Sequence, residues 1–198
     1  DYTALPTALQ ITGIVMVITG GVWALFQTSL SRLLGYAVIM DSGFSLIALS
    51  LGNSLGLQAF ASAFIPRMTT IGLWSLTLAL AQREGLELTI SGMRGQIHIH
   101  PILSAALVVS TFCVGGLPLL ALFPIRQTVL LGLVEQSLPG TIWALIGIAC
   151  FMISCLRFLS SISQNIQMEF QLKDRFPESL LLIGGIIFLL ILGIFPRL

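Results

Sequence analysis

Charged side chains are scarce in this chain of 198 residues. Only 9% of the residues are Asp, Glu, Lys or Arg, whereas 56% are hydrophobic and the mean hydropathy is +1.02. Soluble domains carry roughly 25% charged residues, so a chain with so few cannot cover itself with water-compatible groups. The composition therefore excludes a free soluble domain and predicts an integral membrane protein with the lipid bilayer as its solvent.

Motifs for metals, cofactors and nucleic acid are also lacking. Cys113, Cys150 and Cys155 lie in apolar runs without zinc spacing, and His98 with His100 makes a weak ligand set because no carboxylate or cysteine is near. The nine basic residues form no cluster that would indicate nucleic acid. No phosphate-binding glycine loop, haem motif or nucleophile elbow is present. We therefore expect no metal, no cofactor, no nucleic-acid partner and no enzyme acting by itself.

Long apolar runs fill most of the chain instead. A helix that crosses lipid needs about 20 mostly apolar residues, and only helices or closed barrels satisfy the backbone there. The runs are too long and too uniformly apolar for alternating barrel strands. We predict an all-α integral membrane protein that forms a single membrane domain over residues 1–198. We predict about seven membrane-spanning helices. They are Ala8–Phe26, Leu33–Leu51, Gln58–Ala81, Pro101–Val114, Leu117–Val134, Thr141–Leu159 and Leu180–Phe195.

Two long connectors carry most of the charge, Gln82–His100 and Ser161–Glu178. The second contains apolar residues interleaved with charged and amide side chains. It forms either an amphipathic helix on the membrane surface or a plain loop.

Ionisable residues within the apolar runs indicate where function is encoded. A charge inside a bilayer costs at least a few kcal/mol, so it usually faces a protein interior or a hydrated cavity. Asp41, near the middle of the second run, could carry a proton or could fix helix packing through paired contacts. Arg67 follows Pro66 in the third run and hardly ever loses its proton. It is either a counter-charge to Asp41 or a side chain that extends to the membrane interface.

The stretch from Gly115 to Arg126 cannot support an uninterrupted helix. Gly115, Gly116, Pro118 and Pro124 fall within ten residues of one another. Pro118 lies near the start of the fifth span, where a missing N–H costs little, whereas Pro124 is expected inside that span. A break at membrane depth is tolerated where it lines a cavity or is buried in protein. A break that is followed two residues later by Arg126 indicates an ion pathway. The alternative is a simple proline kink with Arg126 at a helix end.

Three segments carry a family resemblance. Gln27–Phe44 reads Gln-Thr-Ser-Leu-Ser-Arg-Leu-Leu-Gly-Tyr-Ala-Val-Ile-Met-Asp-Ser-Gly-Phe, similar to the pattern Gln-Thr-(Asp/Asn)-Leu-Lys-Arg-Leu-Leu-Ala-Tyr-Ser-Ser-Ile-x-His-x-Gly-Tyr. Phe112–Arg126 resembles Ser-Leu-Gly-Gly-Leu-Pro-Pro-Leu-Ala-Gly-Phe-x-Gly-Lys, and Thr69–Trp74 resembles Met-Asn-Leu-Gly-Thr-Phe. In these segments the chain resembles the antiporter-like proton-pumping subunits of respiratory complex I. The N-type subunit is the branch that fits best.

The resemblance covers roughly residues 8–196 and extends only to the second half of the family pattern. It implies that the acidic residue and the lysine of the first half and centre have no counterpart here. A separate chain could supply that missing N-terminal half. The chain begins at Asp1 without a basic signal-peptide region, so we expect it to be processed or to be one part of something longer.

The resemblance also assigns candidate residues on a proton path: Asp41, Arg126, Arg67 and Arg32. At the family's relay lysine this chain has Ser31, with Arg32 retained beside it; Asp41 replaces a histidine, and Arg126 replaces the lysine after the broken helix. A buried lysine can pass protons, but serine does not titrate and arginine hardly ever deprotonates. Asp41 is therefore the residue at these positions that could readily load and release a proton.

Two functions of different classes follow from the resemblance. The first is a non-catalytic membrane subunit of a proton-translocating NADH:quinone oxidoreductase-like assembly, partnered by other membrane subunits. Its location would be an energy-transducing membrane, which is a bacterial plasma membrane, a thylakoid or a mitochondrial inner membrane. The second is a non-pumping structural subunit, and a cation/proton antiporter or hydrogenase subunit is a further alternative. The broken helix and buried charges favour the first, whereas the missing lysines favour the second.

Overall fold

The computed structural model describes residues 4–164 and 176–195. The connector for which an amphipathic surface helix was considered falls mainly on residues 165–175, outside the described residues. The described residues form eight α-helices and a short 3₁₀ helix at Gln96–His98. The α-helices are α1 (Ala4–Phe26), α2 (Leu30–Ser50), α3 (Ser54–Ser62), α4 (Phe64–Arg83), α5 (Pro101–Gly115), α6 (Phe123–Gln136), α7 (Leu138–Ile162) and α8 (Phe176–Ile194).

Five segments are long and apolar enough to cross a membrane. They are α1, α2, the pair α3 and α4 taken together, α7 and α8. Their outward faces carry large apolar side chains, among them Trp23, Trp143 and Leu181, each more than half exposed. Such faces suit lipid and not water. The predicted all-α membrane fold is therefore confirmed.

Helices α5 and α6 are shorter than the other spans. They have 15 and 14 residues, which corresponds to about 22 Å and 21 Å against a hydrocarbon core of about 30 Å. These two helices flank the predicted break, and they share only part of their neighbours. Helix α5 packs against α4, α7 and α8, whereas α6 packs mainly against α3 and α7.

Glycines allow α1 to lie close to both α2 and α7. A Cβ atom added at Gly21 would lie 2.0 Å from the carbonyl oxygen of Gly147, and one added at Gly13 would lie 2.8 Å from that of Gly43. Backbones that approach so closely gain dispersion contacts, as small residues commonly allow in membrane helices. The contacts of α1 with α2 and with α7 are thus the most extensive between helices of the described chain.

The third predicted span, Gln58–Ala81, is confirmed as part of a longer apolar segment, Ser54–Arg83, which is long enough to cross a membrane. A single turn residue, Ala63, divides this segment into α3 and α4. The Ala63 backbone stays in the right-handed helical region, and Arg67 N–H donates to its carbonyl oxygen. Pro66 lacks the N–H that would bond to the carbonyl of Ser62. Arg67 therefore follows a proline kink within one span.

The predicted break between Gly115 and Pro124 is confirmed, but its geometry differs from the expectation. Helix α5 ends at Gly115, and Gly116 has a left-handed backbone with φ of 80°, as is common after a helix C-terminus. Helix α6 begins only at Phe123, with Pro124 in its first turn. Pro124 was expected inside the span; it instead occupies a position where a missing N–H costs little.

Helix α8 covers the unwound segment between α5 and α6. A Cβ atom added at Gly193 would lie only 2.1 Å from the carbonyl oxygen of Leu119. Leu119 itself has a positive φ of 76°, which is unusual for a residue with a side chain. Helix α8 therefore covers the backbone at Leu119 and Leu120, whereas the side chains of Leu117 and Leu119 stay exposed.

Candidate functional site

Three of the predicted ionisable residues meet in one cluster between helices. Asp41 comes from the middle of α2, Arg67 from the first turn of α4 and Arg126 from the first turn of α6. Asp41 and Arg126 are each only 4% exposed, and the Arg67 side chain is 19% exposed. The three charges are thus held inside the protein at the depth of the membrane-spanning helices.

Each oxygen of the Asp41 carboxylate faces a different arginine. Arg67 Nε forms an ion pair with Oδ2, and Arg126 Nη2 lies 3.5 Å from Oδ1. Arg67 Nη2 also donates to Ser45 Oγ, whose hydroxyl donates to the Asp41 carbonyl oxygen at 3.1 Å. The Arg126 guanidinium carbon lies 4.6 Å from the centre of the Phe44 ring, a cation–π contact.

The two helix interruptions produce this convergence. Arg126 is the fourth residue of α6, which starts after the 116–122 segment. Arg67 directly follows Pro66, at the kink between α3 and α4. The Asp41 carboxylate supplies the negative charge that faces both arginines.

The cluster carries more positive than negative charge. One carboxylate faces two guanidinium groups, which gives a formal charge of +1 because arginine stays protonated. Arg126 Nε and Nη1 are buried and have no hydrogen-bond partner among the described residues. Buried donors at membrane depth are costly when they are left unpaired.

A small cavity adjoins the cluster. Its volume is about 20 Å³, and its lining includes Asp41, Ser45, Arg67 and Arg126 together with apolar residues of α3 and α6. A cavity of this size with several polar groups has room for about one water molecule. The cavity therefore leaves room for a water molecule beside the carboxylate.

Arg32 is not part of the cluster. It is exposed in the first turn of α2, nine residues from Asp41, or about 13 Å along the helix axis. The pairing of Arg67 with Asp41, one of the two alternatives considered for Arg67, is present. A role for Arg32 on a path stays a prediction.

The break contributes space to the site through its glycines. A Cβ atom added at Gly116 would lie 3.2 Å from Arg126 Cδ, so the glycine leaves room for the arginine side chain. The sequence analysis did not single out Ser45 and Phe44 as contacts of the cluster. Ser45 could have been found because it follows Asp41 by four residues and so lies on the same helix face. Phe44 could have been found because it belongs to the Gln27–Phe44 segment.

Comparison with known proteins places these features in a family. Residues 2–152 match the model of the family described as NADH:quinone oxidoreductase/Mrp antiporter, transmembrane. The chain belongs to this family. The matched region contains the whole Asp41, Arg67 and Arg126 cluster and the break between α5 and α6, so the family pattern and the buried site coincide.

Individual relatives agree with this assignment. NADH-quinone oxidoreductase subunit N from Pelagibacter ubique is 29% identical over 152 residues, which cover 75% of this chain and 31% of that protein. A chain of respiratory complex I from Thermus thermophilus has a TM-score of 0.82 at 22% identity, covering 98% of this chain and 42% of the other. A chain of the membrane-bound sulfane sulfur reductase, an archaeal respiratory membrane complex, has a TM-score of 0.89 at 16% identity, with coverage of 98% and 40%.

These structural relatives share the fold with this chain, and they come from multisubunit membrane complexes. The chain spans less than half of the length of each of these relatives.

Proposed function

We propose that this chain is a membrane subunit of a proton-translocating NADH:quinone oxidoreductase-like assembly in an energy-transducing membrane. The observation that carries the proposal is the buried Asp41 carboxylate at the point where two interrupted spans meet. Intramembrane ionisable residues mark ion and proton pathways more often than they serve structure alone. Family membership supplies the independent support.

The proposed division of labour follows from the chemistry of the side chains. Asp41 exchanges the proton, with a water molecule in the adjoining cavity as its neighbour. Arg67 and Arg126 remain charged and set the electrostatic field that the proton experiences. The break formed by Gly115, Gly116, Pro118 and Pro124 admits polar backbone at membrane depth, and Arg32 lies where the path would reach the surface.

The proposal treats the chain as the counterpart of the second half of an antiporter-like subunit. Its coverage of 31% to 42% of the relatives' lengths fits a part of such a subunit, and the resemblance of the Gln27–Phe44 and Phe112–Arg126 segments assigns it to the second half. Other membrane subunits are its partners in the assembly, and a separate chain that supplies the missing N-terminal half belongs to the same proposal.

A non-pumping structural subunit is the second candidate. Ser31 and Arg126 occupy positions where the family pattern has lysines, and neither can pass a proton by titration. In this alternative the Asp41 cluster fixes the helices α2, α4 and α6 to one another and to neighbouring subunits, and no proton crosses it.

The number of protons moved per electron separates the two functions. Membrane vesicles that contain the assembled complex would be compared for the native chain, for Asp41→Asn and for the double variant Asp41→Asn with Arg67→Gln. The double variant keeps the formal charge of the cluster at +1, so it separates loss of the titratable group from charge imbalance. Ser42→Ala is the matched control, because the Ser42 hydroxyl donates only within its own helix, to Val38 O at 2.8 Å.

The proposal predicts that both Asp41 variants move fewer protons per electron while Ser42→Ala keeps the native ratio. Electron transfer through the complex should continue, since no cofactor site is altered. A native ratio in the double variant, in a complex of normal composition, would overturn the pumping role and support the structural alternative.

A further inference from the structure

A polar pocket opens where α1 and α7 end, far from the Asp41 cluster in the fold. Its volume is about 410 Å³, and the connector between α4 and α5 forms its other wall. Its lining contains two arginines and no carboxylate. The polar side chains that the pocket gathers include Arg94, Arg157, Thr28, Ser91, Ser160 and Gln164. Such a lining suits an anion and not a cation.

Arg157 is held in the pocket by the end of α1. Its Nη1 donates to the carbonyl oxygen of Leu25 at 2.7 Å, and its Nη2 donates to the carbonyl oxygen of Gln27. The C-terminal end of a helix carries a partial negative charge, which favours a cation. These contacts position the guanidinium group, but they bring no formal negative charge, and no described carboxylate forms an ion pair with it. Arg157 is therefore a fixed cation without a counter-charge in the described chain.

Arg94 is the second cation of the pocket. It is exposed, and its guanidinium group makes no hydrogen bond or ion pair with another described residue. The hydroxyl groups of Thr28 and Ser160 line the same pocket and are likewise unpaired within the described chain. Guanidinium groups bind phosphate through charge-assisted, often bidentate hydrogen bonds, and hydroxyls add further donors. The free donors of the pocket are thus those that a phosphate group uses.

The pocket lies at the level where lipid meets water. Arg157 contacts α1 at Leu25, one residue before that helix ends. Trp23 and Phe26 of the same helix end are each more than half exposed, and an exposed Trp near the end of a span is typical of the membrane interface. Arg157 is also the twentieth of the 25 residues of α7, near the end of that span. The headgroups of the surrounding lipids lie at this level.

One face of α7 changes from apolar to polar as it reaches the pocket. Arg157 follows Ile153 by four residues and Ser160 follows Leu156 by four, so each polar side chain lies one turn beyond an apolar one. Ile153 and Leu156 are each more than half exposed, whereas Arg157 and Ser160 line the pocket. A phospholipid has the same order along its length, with an acyl chain followed by a phosphate.

We infer that this pocket binds the headgroup of an anionic phospholipid, with its phosphate on Arg94 and Arg157 and its acyl chains along Ile153 and Leu156. An anionic headgroup supplies the negative charge that the two arginines lack. Phosphatidylcholine brings an ammonium group as well, which two guanidinium groups repel. A free phosphate ion would meet the same donors, but it would make no use of the apolar face beside them.

Photolabelling of the affinity-purified complex in phosphatidylcholine nanodiscs tests the inference. The nanodiscs would contain a trace of phosphatidylglycerol with a diazirine in its acyl chain, and labelled peptides would be identified by mass spectrometry. We expect this probe to label the α7 peptide that contains Ile153 and Leu156 at least about tenfold more than a phosphatidylcholine probe with the same chain. Unlabelled phosphatidylglycerol should compete, whereas inorganic phosphate at matched ionic strength should not.

Substitutions check that the arginines recognise the headgroup. Arg94→Gln should lower labelling by phosphatidylglycerol about fivefold or more, and the fold should stay intact because the Arg94 side chain holds no described contact. Arg94→Lys keeps the charge and should lose less. Ser160→Asp leaves both arginines in place but adds a carboxylate to the pocket, so it should also lower labelling. The matched control is Arg32→Gln, which removes an exposed arginine at the start of α2, outside the pocket, and should leave labelling unchanged.

Three results would overturn the inference. Equal labelling by the two lipid probes would show that the headgroup is not recognised. Equal labelling of Arg94→Gln and Arg32→Gln would show a general attraction to surface charge and no built site. Competition by inorganic phosphate would assign the pocket to the free ion. None of these results depends on Asp41, so the proposed function would stand or fall separately.

Discussion

At the scale of single residues, the Asp41 cluster is governed by an unequal number of charges. Removing either arginine leaves one balanced ion pair, whereas removing Asp41 leaves the buried Arg126 and the partly buried Arg67 without a counter-charge. A buried charge without a counter-charge is far more costly than a substitution that leaves the remaining buried charges balanced. The two kinds of substitution should therefore differ sharply in their effect on stability.

We expect Asp41→Asn to lower the free energy of unfolding by about 3–5 kcal/mol. Arg126→Met should lower it by about 1–2 kcal/mol, chiefly through the lost contact with Phe44. Thermal unfolding in detergent would be followed with a thiol-reactive dye, because Cys113 and Cys155 are buried and become reactive on unfolding. Cys150 is partly exposed, so both variants would be made in a Cys150→Ser background. An equal loss of unfolding free energy in Asp41→Asn and Arg126→Met would contradict the view that the excess positive charge governs the stability of the cluster.

At the scale of helices, the sequence predicted the existence of the spans better than their interruptions. Hydropathy located the long apolar helices, since length and composition are local properties. It did not divide α3 from α4, although Pro66 was a local signal for an irregular helix start. It also placed Pro124 in a helix interior, because the extent of the unwound 116–122 segment depends on the covering contact with Gly193 of α8.

The site shows the same division between local and non-local information. Asp41, Arg67 and Arg126 could be singled out because a charge in an apolar run is visible in the sequence. The contact of Arg126 with the Phe44 ring could not be singled out in that way. It depends on how α2 and α6, which are far apart in the sequence, pack against each other.

The close approach of α1 and α7 predicts that Gly21→Ala is destabilising. Its Cβ atom would fall 2.0 Å from the backbone oxygen of Gly147, and backbone cannot rotate away as a side chain can. We expect a loss of about 1–3 kcal/mol, as for other overpacked sites. Gly35→Ala on α2 is the control, because nothing lies within 4 Å of its added Cβ. It should be neutral or gain up to about 1 kcal/mol in helix propensity. The two melting temperatures in detergent would be compared, and a stable Gly21→Ala would argue against this helix crossing.

The covering of the break by α8 makes a second prediction for helices. Gly193→Ala would force α8 away from Leu119, since the added Cβ would lie 2.1 Å from its carbonyl oxygen. Faster amide hydrogen exchange should follow in residues 116–122, whose polar backbone loses its cover. Gly184→Ala, on the same helix with nothing within 4 Å, should leave exchange unchanged. Identical exchange in both variants would show that α8 does not protect the break.

At the scale of the whole molecule, the apolar exterior and the excess internal charge lead to the same conclusion. Large apolar side chains on α1, α7 and α8 suit lipid or other membrane helices. The cluster of Asp41, Arg67 and Arg126 keeps a formal excess of one positive charge. The chain also spans less than half of the length of the relatives that it matches. These features support the proposal that the chain is one component of a larger membrane assembly.

Composition of the native assembly tests this central claim most directly. The chain would be tagged, extracted from its own membranes in a mild detergent and purified by affinity, and the co-purifying proteins and cofactors would be identified. The account predicts other membrane subunits together with subunits that carry flavin and iron–sulfur clusters, detected by absorbance and by electron paramagnetic resonance. A chain that purifies alone or only with copies of itself, without redox cofactors, would contradict the account.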